Sequence, residues 1–245
     1  KIFVEEISLK AEQIFSILGF PVTNSLFLTL FVCLILIAFS VILKKKLALV
    51  PGKLQSGVEM GVEALLNLME STLGSMKKAE MYFPLIATIF IFILVSNLLG
   101  LFPGVGSIHI EYGHKAIPLF RAPAADLNFT LAFAVISVIM TNVLGMMAIG
   151  TFKHISKFIN FSNPINFFIG ILELVSEVAK IISLSFRLFG NVFAGEVLLT
   201  IIFFLAPYFI PLPFMFLELF VGMIQAFIFA MITLVSISIH TAEHH

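Results

Sequence analysis

Along its 245 residues the chain alternates long apolar runs with short polar interruptions, and run length sets the first expectation. A bilayer core of ~30 Å takes about 20 apolar residues as a helix. Five runs come to that length or exceed it. The first, 25–43, stops at Lys44, Lys45 and Lys46; the second spans 83–103 and the third 127–150, all without an internal charge. The fourth covers 165–206, with Pro164 as a helix-start residue and Pro207 as a stop, and the fifth covers 211–240. At about 1.5 Å per residue the fourth would reach roughly 60 Å, twice the hydrocarbon thickness, so it must lie strongly slanted or break, at Gly190 or Gly195. The fifth, about 45 Å by the same rise, must slant too. Together they predict a long tilted hairpin.

Residues 51–80 follow another period. Val58, Val62, Leu65, Leu66, Met69 and Leu73 share one helical face, and Glu59, Glu63 and Glu70 occupy the rest. That pattern predicts an amphipathic helix lying at the membrane surface. The expected fold class is an all-α integral membrane protein, one membrane domain over 1–245, with five membrane helices and a surface helix. No internal repeat and no soluble domain interrupts it.

Composition sharpens this picture. Hydrophobic residues make up 60% and charged residues 11% of the chain, against about 45–50% and about 25% in soluble proteins. The formal net charge is zero and no basic tract occurs, which argues against a nucleic-acid partner. The single Cys33 lies in an apolar run, so neither an intrachain disulfide nor a cysteine metal cluster is expected. Glu5, Glu6 and Glu12 precede the first run, the wrong flank for a cleavable signal, so it reads as a permanent span. Lys44, Lys45, Lys46, Lys53, Lys77, Lys78, Lys153 and Lys157 gather on one side, against Lys1, Lys10, Lys115 and Arg121 on the other. By the positive-inside rule the N-terminus is outside and the C-terminus cytoplasmic.

The chemistry sits where a membrane span should be blank. In the fourth run Glu173, Ser176, Lys180, Ser183 and Asn191 all fall within about 40° of Arg187, counting about 100° per residue. Glu196 falls about 180° away and about 13 Å further along, which makes it a poor direct partner for that arginine. In the fifth run Glu218, Gly222, Gln225 and Ser236 share one side, with Thr233 and His240 less closely aligned. Antiparallel packing would bring Gln225 toward Arg187 and Glu218 toward Glu196. A mid-membrane arginine costs about 2.5–3.5 kcal/mol on insertion scales, and ionisable groups there usually mark ion pathways. Glu177 and Lys180, three apart, read instead as a pair joining helices.

Other classes fit less well. A secondary ion transporter also uses mid-membrane charges, but usually with an internal repeat. An intramembrane hydrolase needs a nucleophile and base or metal ligands, and there is no HExxH motif. No GxxxxGK[ST] phosphate loop occurs, so nucleotide chemistry falls to other chains.

The stretch SLSFRLFGNVFAGE from Ser183 resembles the signature of subunit a of the F-type ATP synthase. PAADLNFTLAFA from Pro123, NPINFFIGILELVSEVAK from Asn163, QAFIFAMITLVSISIHTAEHH from Gln225 and FPLIATIFIFILVSNLLGLFPG from Phe83 resemble family segments in the family order. The resemblance covers most of the chain from about Pro51 onward and implies a proton-translocating stator subunit, itself not an enzyme. It implies that Arg187 faces the carboxylate of a passing c subunit and keeps two half-channels apart. Asn191, Glu196, Glu218 and Gln225 match the outer half-channel and the arginine's surroundings, and Glu173, Ser176 and Ser183 the inner one. Asp126, the only aspartate, matches an acidic position near the outer mouth, where His109, Glu111 and His114 are also placed by their loop. Some relatives carry histidine at Glu218 or lack the acid at Glu196, so here two neighbouring carboxyls are expected to titrate as a pair, with either able to relay. The implied partners are the c-subunit ring, peripheral-stalk b subunits, other ATP synthase subunits and the lipid bilayer, in a bacterial plasma (inner) membrane; no cofactor or metal is implied.

Overall fold

Glycines, prolines and a few polar side chains decide where the helices begin and end. The computed structural model describes residues 11–17, 19–102, 105, 108–112, 115–158 and 163–241. Seven α-helices stand among them: α1 Asn24–Lys45, α2 Lys53–Leu73, α3 Met76–Gly100, α4 Leu127–Ile149, α5 Thr151–Phe158, α6 Pro164–Leu205 and α7 Pro211–Thr241. Of these, α1, α3, α4, α6 and α7 are long and apolar enough to cross a membrane. Thr23 caps α1 by accepting the Leu26 N–H. Gly74 ends α2 in the left-handed region at φ +70°, its N–H bonded to the Glu70 carbonyl. Gly150, at φ +89°, does the same between α4 and α5, its N–H on the Met146 carbonyl.

Among the described residues two antiparallel hairpins add to the helices: β1 Gln13–Ile17 with β2 Phe20–Thr23, and β3 His109–Tyr112 with β4 Lys115–Pro118. Neither is foreshadowed by the apolar pattern, because strands of four or five residues leave too short a period to read. Residues 51–80 do not form one helix. The left-handed turn at Gly74 divides them, and 76–80 become the first turns of α3, which starts seven residues ahead of Phe83. Nor does α6 break: its 42 residues run continuously through Gly190 and Gly195, about 63 Å at the standard rise.

The chain divides into two compact units, with boundaries inside α3, near the start of α4, and inside α6 and α7. One unit comprises 1–46, 91–129 and 187–227. In it the first hairpin, the loop after β4 and the start of α4 are knitted to the head of α1. Asn24 donates to the Pro118 carbonyl at 3.3 Å, and the Phe27 and Phe120 rings lie 5.5 Å apart. The Asn97 amide of α3 donates to the Gly222 carbonyl of α7 at 2.8 Å, a close approach that a side chain at 222 would crowd.

The other unit comprises 47–90, 130–186 and 228–245. Its core joins Met69 of α2, Ala79, Tyr82 and Ile86 of α3, and Ala230, Leu234 and Ile237 of α7. The apolar face of α2 is thus spent partly on the protein's own core: Met69 is fully buried, and Leu65, Leu66 and Leu73 pack against the same cluster. Hydroxyl pairs tie α4 to its neighbours, Ser137 to Thr233 at 2.7 Å and Thr130 to Ser185 at 3.2 Å. Such pairs hold helices together where hydrophobic burial gives little net drive.

Candidate functional site

Polar groups inside the long helices fall into three sets. The first lies on the outward side of α6. Ser176, Ser183 and Arg187 are exposed, as are the apolar Val175, Ile182 and Phe186 beside them. Glu173 and Asn191, in different units, are half-buried.

The second set lies on another face of α6. Glu196 turns toward Arg121, which precedes α4: Nε lies 3.4 Å from Oε1, and Nη2 donates to Oε2 at 3.5 Å. The arginine is buried, with 6% of its side chain exposed against 37% for the glutamate. Its guanidinium carbon stands 6.0 Å from the centroid of Phe193 on the same helix, within cation–π range. One residue back, Gly195 lies directly against the carboxylate of Glu218 from α7. Glu196 and Glu218 are therefore brought to one turn of α6, and Gln225 is buried further along α7. The periodicity puts Glu196 on the opposite side from Arg187, and the exposure of Arg187 agrees. What it does not reveal is Arg121, counted from sequence only as a loop cation. No local spacing signals a partner 75 residues away.

Asp126 is buried and occupied. Its Oδ1 accepts the backbone N–H of Asn128 at 2.9 Å, the N-cap bond of α4, and its Oδ2 accepts the Ser25 hydroxyl of α1 at 2.6 Å. His114 lies outside the described residues, as do the side chains of His109 and Glu111.

The third set joins α4, α5, α6 and α7. Lys180 donates to Glu177 Oε1 and to the Ser236 hydroxyl, each at 2.7 Å. His240 Nε2 stands 3.4 Å from the same carboxylate oxygen, and Asn142 donates to the other at 3.1 Å. The pair read as a helix join is one, extended into a network in which α7 runs antiparallel to α6. Asn142 Oδ1 can only accept, so His154 Nε2, 3.1 Å away, carries the proton that it donates there. That tautomer leaves Nδ1 as a buried lone pair without a partner, facing Gly145. Burial first, then the neighbouring His240 and Lys157, hold the His154 pKa below its ordinary value, so the ring is neutral. Glu173, Glu177 and His240 each bring one donor atom to within 4.8 Å of the others, a grouping with metal-ligand chemistry. The ammonium of Lys180 already supplies a cation there.

Membrane-length helices carrying a carboxylate paired with a buried loop guanidinium, a second carboxyl against bare backbone and an exposed arginine have the intramembrane ionisable groups that usually mark an ion-conducting membrane subunit. The family model described as ATP synthase A chain matches residues 26–238. ATP synthase subunit a 3 of Pelobacter propionicus is 38% identical over 213 residues, covering 86% of this chain and 84% of its own. ATP synthase subunit a of Geobacter sulfurreducens is 37% identical, covering 87% and 85%, and that of Moorella thermoacetica 33%, covering 92% and 94%. The chain belongs to the ATP synthase A chain family, the proton-translocating, non-catalytic membrane subunit of the F-type ATP synthase. The transporter reading is set aside.

Proposed function

We propose that Arg187 is the fixed charge dividing two proton paths, and that the exposed face of α6 meets a ring of c subunits. Outside the ring contact, Asn191, Glu196, Glu218 and Gln225 line the outer path, with Asp126 at its mouth; Glu173, Ser176 and Ser183 line the inner one. The observation that carries this reading is the direction of Arg187: it lies on the exposed side of α6, whereas Glu196 on another face is taken up by Arg121. A guanidinium stays protonated at any working pH, so it attracts a deprotonated ring carboxylate and cannot itself pass a proton. Protons enter from outside, neutralise a ring carboxylate, travel with the ring and leave inward when Arg187 displaces them. Each charge crossing releases about 2.3 kcal/mol per 100 mV, so several serve one ATP.

The loop lysines support an N-terminus outside and a cytoplasmic C-terminus. The plasma (inner) membrane is the proposed location, with peripheral-stalk b subunits holding this subunit still against the ring. Arg187→Ala in otherwise intact membranes tests the reading. Proton-driven ATP synthesis is expected to vanish while the complex still assembles, and coupled synthesis at the parental rate would overturn it.

A further inference from the structure

Two carboxyls share one turn of α6, and their surroundings differ. Glu196 faces a guanidinium that reaches both of its oxygens, held in turn by Phe193. Glu218 lies against the bare backbone of Gly195. Arg121 cannot swing away easily. The chain on either side of it is anchored, by Phe120 against Phe27 and by Ala122 against Gly100, where a Cβ would come within 2.6 Å of the alanine methyl. Four residues on from Ala122, Asp126 fastens the chain to Ser25 and to the start of α4.

We infer that Arg121 is a positioning residue that keeps Glu196 charged and fixed, leaving Glu218 as the carboxyl that takes up and releases protons. The inference rests on the proton-path reading and deepens it. Among the described residues, the charged groups on the packed elements are Arg121 ahead of α4, Glu196 on α6 and Glu218 on α7; Arg187 lies on a different face of α6, and Asp126 is engaged by Ser25 and Asn128. Arg121 and Glu196 together are neutral, so the trio changes charge only as Glu218 gains or loses its proton. Without the guanidinium, Glu196 loses that countercharge and shares its turn of α6 with a second carboxyl, Glu218. Both carboxyls then titrate together.

Passive proton flux through membranes stripped of the soluble ATPase sector reads this out, with assembly followed by co-purification of the whole complex. Glu218→Gln is expected to lower flux about tenfold more than Glu196→Gln; equal losses overturn the inference. Arg121→Gln is expected to lower flux about tenfold and move its pH dependence to higher pH, with Arg121→Lys retaining part of it. Arg121→Gln combined with Glu196→Gln removes both charges and is expected to recover flux several-fold over Arg121→Gln alone; no recovery overturns the assignment. Should Arg121→Gln not assemble, the Glu218 and Glu196 comparison decides. Arg187→Ala, measured alongside, separates the two levels: loss of coupled synthesis there, with equal defects at 196 and 218, sinks this inference alone.

Discussion

The carboxylate of Glu218 occupies the place where a side chain on Gly195 would be. Only a residue without a Cβ lets α7 bring that carboxyl onto the backbone of α6. Gly195→Ala is therefore expected to displace the carboxyl and lower passive proton flux by about tenfold, while helix propensity, which favours alanine by ~1 kcal/mol, keeps α6 intact. Glu218→Asp in the same chain withdraws the carboxyl by one methylene, about 1.5 Å, and is expected to restore part of the flux. Parental flux in the alanine variant would show that the approach of α7 to Gly195 is immaterial.

Asp126 illustrates a different use of a carboxylate. One oxygen caps α4 and the other holds the head of α1 through Ser25, with the side chain 7% exposed. Asp126→Ala removes both bonds. N-cap loss costs about 0.5–2 kcal/mol, and loss of the bond to Ser25 adds to it, although that hydroxyl keeps Thr23 as a partner at 3.1 Å. Asp126→Asn keeps an acceptor for the Asn128 N–H and is expected to retain most of the stability. Thermal melting of the purified protein in detergent compares them, with the alanine variant clearly the less stable; identical melting temperatures would remove the capping role.

Run length and periodicity make the five long helices legible, because a span must be apolar over its whole length. They also put Arg187 and Glu196 on different faces, since a regular helix carries its phase through nine residues. Three features escape them. The break at Gly74 depends on one backbone conformation, φ +70°, within an otherwise helical pattern. The continuity of α6 through Gly190 and Gly195 is the second: at Gly195 the carboxylate of α7 lies on the backbone, which makes that glycine a point of close approach and not a hinge, while Gly190 stays helical beside open space. The pairing of Arg121 with Glu196 depends on folding a loop residue back onto a span, and charge pattern along the chain carries no such information. The network about Glu177 was half visible, as an i,i+3 pair, while Asn142 and His154 join it only through tertiary structure.

That network sets the last expectation, a pH dependence of stability. His154 is neutral in the fold, donating from Nε2 to Asn142, and its pKa lies below the ordinary 6.5, chiefly through burial and next through His240. Lys157 also disfavours a charged ring, whereas Glu177 and Glu173 favour it less strongly. The unfolded chain therefore binds a proton at this residue at higher pH than the folded one does. The contribution of His154 is full above its unfolded value and is lost as pH falls from there through the folded pKa. Melting temperature in detergent is expected to drop between about pH 7 and pH 5, and His154→Gln, which keeps a donor for Asn142 without a titrating ring, to flatten that drop. An unchanged slope in the glutamine variant would assign the acid sensitivity to other groups, and a slope of opposite sign would mean that the folded protein holds the imidazole charged.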